Sequence, residues 1–131
     1  MIIDSSAVLA ILFAEEDAAV YSGTIESAPH CRMSVANWLE TAIRIDLKND
    51  AIASNAFDDF MRESKIILEA VDLEQADIAR SAYRAYGKGT GHPAGLNFGD
   101  CFAYALAKVS AEPLLFKGDG FSKTDLESAA L

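Results

Sequence analysis

Apolar positions follow two rhythms along this chain. Short unbroken apolar runs in MIID, IILEAVD and PLLF have the length and composition of buried strands. Between them, apolar residues recur every three or four positions, the spacing of one helix face. MIID passes through Ser5 and Ser6 into Val8, Leu9, Ile11 and Leu12, which predicts a strand running into a helix. Asp17 can cap a second helix with the stripe Ala18, Tyr21 and Ile25. HCRMS, after Pro29, is a weaker strand candidate, and Ser34 is a good N-cap for the helix that follows. The apolar stripe of that helix is Val35, Trp38, Leu39, Ala42 and Ile43, and Glu40 falls on its flank, from where it can look sideways into a cleft.

The alternation continues to the end. Ile52, Ala56, Phe57, Phe60 and Met61 mark another helix; IILEAVD follows as a strand, and Asp72 with Gln75 predicts a capping box for a helix running to Tyr86. Gly87 stands where a left-handed residue would end it. GKGTGHPAGLNFG is the longest irregular stretch, and it lacks both phosphate-loop signatures, so it is expected to be a mobile surface loop. LNFGDCFAYALAKVSA predicts a helix capped by Asn97 and apolar on nearly every side, and PLLF leads into KGDGFSKTD. Strands alternating with helices imply an α/β domain with a mostly parallel central sheet. No linker or repeat divides the chain, so one domain over 1–131 is expected.

Composition narrows the function. The 51% hydrophobic share is high for a domain of this size, and part of the excess is expected to cover a partner surface. The opening apolar stretch is too short to span a membrane, has no basic residue before it and is followed by Glu15, Glu16 and Asp17; a cytoplasmic protein is expected. Cys31 and Cys101 stand alone and, with His30 and His92, lack zinc-ligand spacing, so both read as buried thiols. A net charge of −9 argues against binding nucleic acid through a broad basic face. It leaves open a small anionic group held by a cation, which reverses the local field.

Four acids then stand out by position. Asp4 ends the first strand, Glu40 flanks a helix, Asp100 sits in the first turn of the most apolar helix, and Asp119 follows the last strand. In an open parallel sheet, strand C-termini and helix N-termini converge on one edge, where ligands bind. Each acid also has a structural explanation: a turn or cap at Asp4, a helix-dipole partner at Asp100, a Gly-x-Gly turn at Asp119, a solvated face at Glu40. Clustered together, however, they repel one another unless a divalent cation intervenes. An all-oxygen donor set suits Mg²⁺ or Mn²⁺, and Mg²⁺ bound by one or two carboxylates implies phosphate chemistry.

The sequence resembles the PIN domain, specifically the toxin ribonucleases of VapBC toxin–antitoxin pairs. The resemblance covers essentially the whole chain and rests on MIIDSSAVLAIL, SVANWLET around Glu40, LNFGDCFAYALAK around Asp100 and LLFKGDGFSKTDL. It implies a three-layer α/β/α fold and Mg²⁺-dependent endonucleolytic cleavage of RNA. Asp4 and Asp100 would be the principal metal ligands, Glu40 would orient or activate the attacking water, and Asp119 would hold water or complete a second metal position. A small VapB-type antitoxin that covers the acidic cleft, and homodimers, are implied as partners. One departure stands out. Many relatives have a second acid after the last strand, where this chain has Gly120, and Asp125 reads as a structural acid. Two rivals remain open at this stage: a PIN-fold binding subunit without activity, and a phosphoacceptor receiver domain with Lys117 as its lysine.

Overall fold

The computed structural model describes residues 1–129. Its centre is a four-stranded, wholly parallel sheet in the order β3-β2-β1-β4, with β1 at Ile2–Ile3, β2 at Arg32–Ser34, β3 at Ile67–Glu69 and β4 at Leu114–Leu115. The strands are short. Of IILEAVD only Ile67–Glu69 pairs, as an edge strand with largely exposed side chains.

Period-two alternation splits the core between two faces. Ile2 and Leu114 point to one face, where they meet helices α5 (Leu73–Tyr86) and α6 (Phe98–Ser110). Ile3, Met33 and Leu115 point to the other, against α1 (Ser5–Leu12), α2 (Ala18–Ser27), α3 (Val35–Asp46) and α4 (Ala51–Glu63). Two apolar layers over one sheet make the expected three-layer α/β/α domain. Its central residues Ile2, Ile3, Leu114 and Leu115 are fully buried, each worth roughly 1.5–3 kcal/mol relative to exposure.

The chain visits β1, β2 and β3 in one direction and then returns to lay β4 on the other side of β1. That reversal opens a crevice at the C-terminal end of β1, the position of Asp4.

Several local expectations are corrected. On α3 the buried residues are Asn37, Thr41 and Ile45, while Val35, Leu39, Ile43 and Leu47 lie exposed four residues apart. Of the expected stripe, Trp38 and Ala42 pack against the core while Val35, Leu39 and Ile43 face outward, so the covered side of α3 is turned from the predicted one and mixes Asn37 and Thr41 with apolar side chains. Asp17 precedes α2 without capping it, because its carboxylate is taken by Lys117 Nζ at 3.0 Å. Asp72 accepts from Gln75 N, but Gln75 donates to Ala70 O instead of closing a capping box. Gly87 is extended, with φ −69°; glycine is required there because a Cβ would lie 2.4 Å from Tyr83 O. The 87–97 segment is held by Lys88 N to Leu96 O and Leu96 N to Tyr86 O, and His92 packs edge-on against Tyr86. Asp125 is structural, as expected, accepting from Tyr104 Oη and Lys108 Nζ.

Candidate active site

Three of the four acids meet at the C-terminal edge of the sheet. Asp4 is the N-cap of α1: its Oδ2 accepts from Ser6 N at 3.0 Å and Ser6 Oγ at 2.5 Å. It is also almost fully buried, at 3% exposure. The capping explanation therefore holds at Asp4, in a buried place where a carboxylate's charge is costly. Ser6 extends the link, since its Oγ also accepts from Lys117 N, pinning the turn after β4 onto the start of α1.

Glu40 reaches this edge from α3. Its Oε1 accepts from Ser5 Oγ at 2.5 Å, which joins it to the residue beside Asp4. Its carboxylate also rests against the backbone of Gly99, where an added Cβ would meet Glu40 Oε2 at 2.1 Å. Asp100 follows Gly99 in the first turn of α6 and completes a capping box: Asn97 Oδ1 accepts from Asp100 N, and Asp100 Oδ2 accepts from Asn97 N.

The electrostatics follow from this crowding. Burial pushes the Asp4 carboxyl up to about 6; the Ser6 hydrogen bonds oppose the rise, and the charges of Asp100 and Glu40 add to it. Burial likewise holds Asp100 above the usual carboxylate range, with the Asn97 N–H opposing and the Glu40 charge adding. Like charges thus face one another in a half-dry crevice, an environment that favours a divalent cation.

The donor set fits such an ion in chemistry, being all oxygen. It is not drawn together as a finished cage: among the described residues no three His, Cys, Asp or Glu side chains are grouped as metal ligands. Each carboxylate instead has one oxygen engaged by a local donor, from Ser6, Ser5 or Asn97.

Asp119 is placed differently. It lies two residues beyond Lys117, so its backbone is near the edge, but its side chain is 89% exposed and 3.6 Å from Lys123 Nζ. At Gly120 a Cβ would stand 3.0 Å from Ala94 O in the 87–97 segment, a tight fit for any larger side chain. Lys117 Nζ is held by Glu15 and Asp17, away from the role a receiver lysine would need.

Asn37 was not legible as part of this site. It is fully buried on α3, donates from Nδ2 to Gly99 O at 2.9 Å and to Glu40 Oε1 at 3.5 Å, and its Oδ1 has no partner among the described residues. The only sequence signal was a polar residue three positions before Glu40, which helical spacing places on a shared side.

A model of the PIN domain family matches residues 1–127. The chain belongs to the PIN domain family. This PIN domain is 51% identical over 126 residues to "Ribonuclease VapC" of Mycolicibacterium smegmatis, covering 96% of this chain and 97% of that one. Its fold is shared with the crystal structure of Mycobacterium tuberculosis VapC20, described as a sarcin-ricin loop cleaving toxin, with a TM-score of 0.76, 16% identity and coverage of 99% and 98%. It is likewise shared with a toxin–antitoxin complex from Klebsiella pneumoniae, with a TM-score of 0.68, 15% identity and coverage of 92% and 89%.

Proposed function

We propose that this PIN domain is a metal-dependent endoribonuclease and the toxin of a toxin–antitoxin pair. The observation that carries the proposal is the meeting of Asp4, Glu40 and Asp100, from remote parts of the chain, at one edge of the sheet in a protein half identical to a named ribonuclease.

Asp4 and Asp100 would hold Mg²⁺ or Mn²⁺. When bound, such an ion polarises a phosphoryl oxygen and lowers the pKa of water, the two needs of phosphodiester hydrolysis. Glu40 orients the attacking water and takes its proton, with Ser5 fixing the carboxylate for that task. Asp4 is fixed by Ser6, two residues on, and Asp100 by Asn97, three residues back, whereas Glu40 takes its donor from a remote part of the chain. Burial of Asp4 excludes competing solvent from one side of the reacting phosphate.

Asp119, at the rim, would hold water or complete a second ion position less directly. Asp119→Asn is therefore expected to lower cleavage by less than about tenfold, against about 10³-fold for a primary ligand, in the same RNA assay. The acidic crevice suits a basic antitoxin segment, and the exposed Val35, Leu39, Ile43 and Leu47 along α3 are part of the apolar surface a partner could cover. We further propose a homodimer and a cytoplasmic location; no helix among the described residues is long and apolar enough to cross a membrane.

The test is the purified full chain incubated with structured RNA and Mg²⁺ or Mn²⁺, with EDTA as the control. Cleavage only with metal is expected. No cleavage at any metal concentration would favour a binding subunit without activity. Millimolar Mg²⁺ is also expected to raise the melting temperature by mass action, which a thermal melt with and without EDTA checks.

A further inference from the structure

We propose that Gly99 and Asn37 are positioning residues that together set where the Glu40 carboxylate stands relative to Asp100. The proposal rests on the nuclease reading of this site and adds two residues to it.

Two independent observations meet at one point. The first is steric. The Glu40 carboxylate occupies the space that a Cβ at position 99 would fill: the ideal Cβ lies 2.1 Å from Oε2, 2.7 Å from Cδ and 2.9 Å from Oε1. No side chain but that of glycine leaves this seat open. The backbone of Gly99 does not demand glycine on its own account, since it lies in the regular first part of α6, where alanine is the better helix former.

The second observation is polar. The Asn37 amide bridges the two helices, from α3 to Gly99 O on α6, and turns toward Glu40 Oε1 one helical turn along. Among the described residues its Oδ1 has no partner in a fully buried place, an arrangement that apolar packing alone would disfavour. Asn37 keeps α3 at the distance from α6 at which the carboxylate fits against the glycine. The positive end of the α6 dipole then faces a carboxylate rather than a gap.

Gly99 precedes Asp100 directly, so the seat of Glu40 and the anchor of Asp100 share one helical turn. A displaced Glu40 changes the geometry offered to the ion and to the attacking water together, while the fold is left intact.

The experiment uses the full chain with Mn²⁺ as the probe, read by electron paramagnetic resonance, alongside steady-state cleavage of a structured RNA. For Gly99→Ala, Mn²⁺ affinity is expected to fall about tenfold and kcat about 30-fold, the range seen when an orienting group is lost, with KM for RNA within about twofold. The melting temperature of the metal-free variant should not fall, because alanine favours the helix. Glu40→Asp, one methylene shorter, lowers cleavage in the parent but is expected to raise it about fivefold in the Gly99→Ala background by withdrawing from the added methyl. Asn37→Ala removes the tie without adding bulk. It should lower kcat in the same direction and show no recovery with Glu40→Asp.

Gly99→Ala matching the parent in both Mn²⁺ affinity and kcat, or no recovery by Glu40→Asp, overturns the inference alone, provided the parent binds Mn²⁺ and cuts RNA. A parent that does neither overturns the nuclease reading and this inference with it.

Discussion

Asp4→Asn is expected to lower RNA cleavage by about 10³-fold or more, since a lost metal ligand forfeits several kcal/mol of transition-state stabilisation. The same change should make the metal-free protein more stable. A buried carboxyl moved from 3.8 to about 6 corresponds to about 3 kcal/mol of instability at pH 7. Asparagine removes the charge and keeps an oxygen for Ser6 N and Ser6 Oγ, the contacts that cap α1. Its NH₂ group must find an acceptor in a buried place, so the net gain is about 1–2 kcal/mol. Urea unfolding at pH 7 in EDTA measures it. A variant less stable than the parent would mean that the cap requires the charge, against the view that a cation is what the carboxylate serves.

The pH dependence carries the same sign. Asp4 and Asp100 both have folded-state values above their ordinary ones, so the folded protein binds more protons than the unfolded chain between the two values. Metal-free stability should therefore rise as pH falls from 7 toward 5. Asp17, Glu112 and Asp125 are shifted downward by Lys117, by the N-terminus with Arg32, and by Lys108 with Tyr104. Their contribution is present above the ordinary carboxylate values and is lost only at lower pH. The two groups of acids thus act in separate windows, and saturating Mg²⁺ should flatten or invert the upper one.

What the sequence disclosed follows from which forces act locally. The β1 to α1 passage, the Asn97 cap and the burial of α6 were legible because a strand run, a capping residue and an all-round apolar helix are local patterns. The meeting of Asp4, Glu40 and Asp100 was legible because parallel topology sends strand ends and helix starts to one edge. The orientation of α3 was not. Of its expected stripe of Val35, Trp38, Leu39, Ala42 and Ile43, Trp38 and Ala42 pack against the core, yet Val35, Leu39 and Ile43 are exposed and Asn37, Thr41 and Ile45 are buried. Periodicity reports that a helix has an apolar side, but not how far the covered side is turned from it. Gly87 and Asp17 failed for a related reason: a long-range or side-chain contact, with Tyr83 or Lys117, took the place of the local rule.

The turned helix also accounts for how the site is built. Polar residues on its inner side, Asn37 among them, give Asn37 and Glu40 access to the first turn of α6, which a wholly apolar face would have sealed. The Asn37 oxygen, without a partner among the described residues, and the facing carboxylates are costs to stability concentrated at one edge, where sequence and packing rules diverge.

Asp100 allows the two roles of a carboxylate to be separated by a pair of substitutions. Its Oδ2 accepts from Asn97 N, closing the capping box of α6, and its charge is the one proposed for the ion. Asp100→Asn keeps an oxygen for Asn97 N and discards the charge. It should lose about 10³-fold or more in cleavage, as a primary ligand does, while the metal-free protein is no less stable than the parent. Asp100→Ala discards both and should lose cleavage equally, but with a stability loss of about 1 kcal/mol from the broken cap. Denaturation in EDTA and single-turnover cleavage with Mg²⁺, run on both variants, resolve the outcome. Equal stability losses for the two variants would tie the residue to the helix alone. Retained cleavage in Asp100→Asn would remove it from the metal site, and with it the reason for three acids to share this edge.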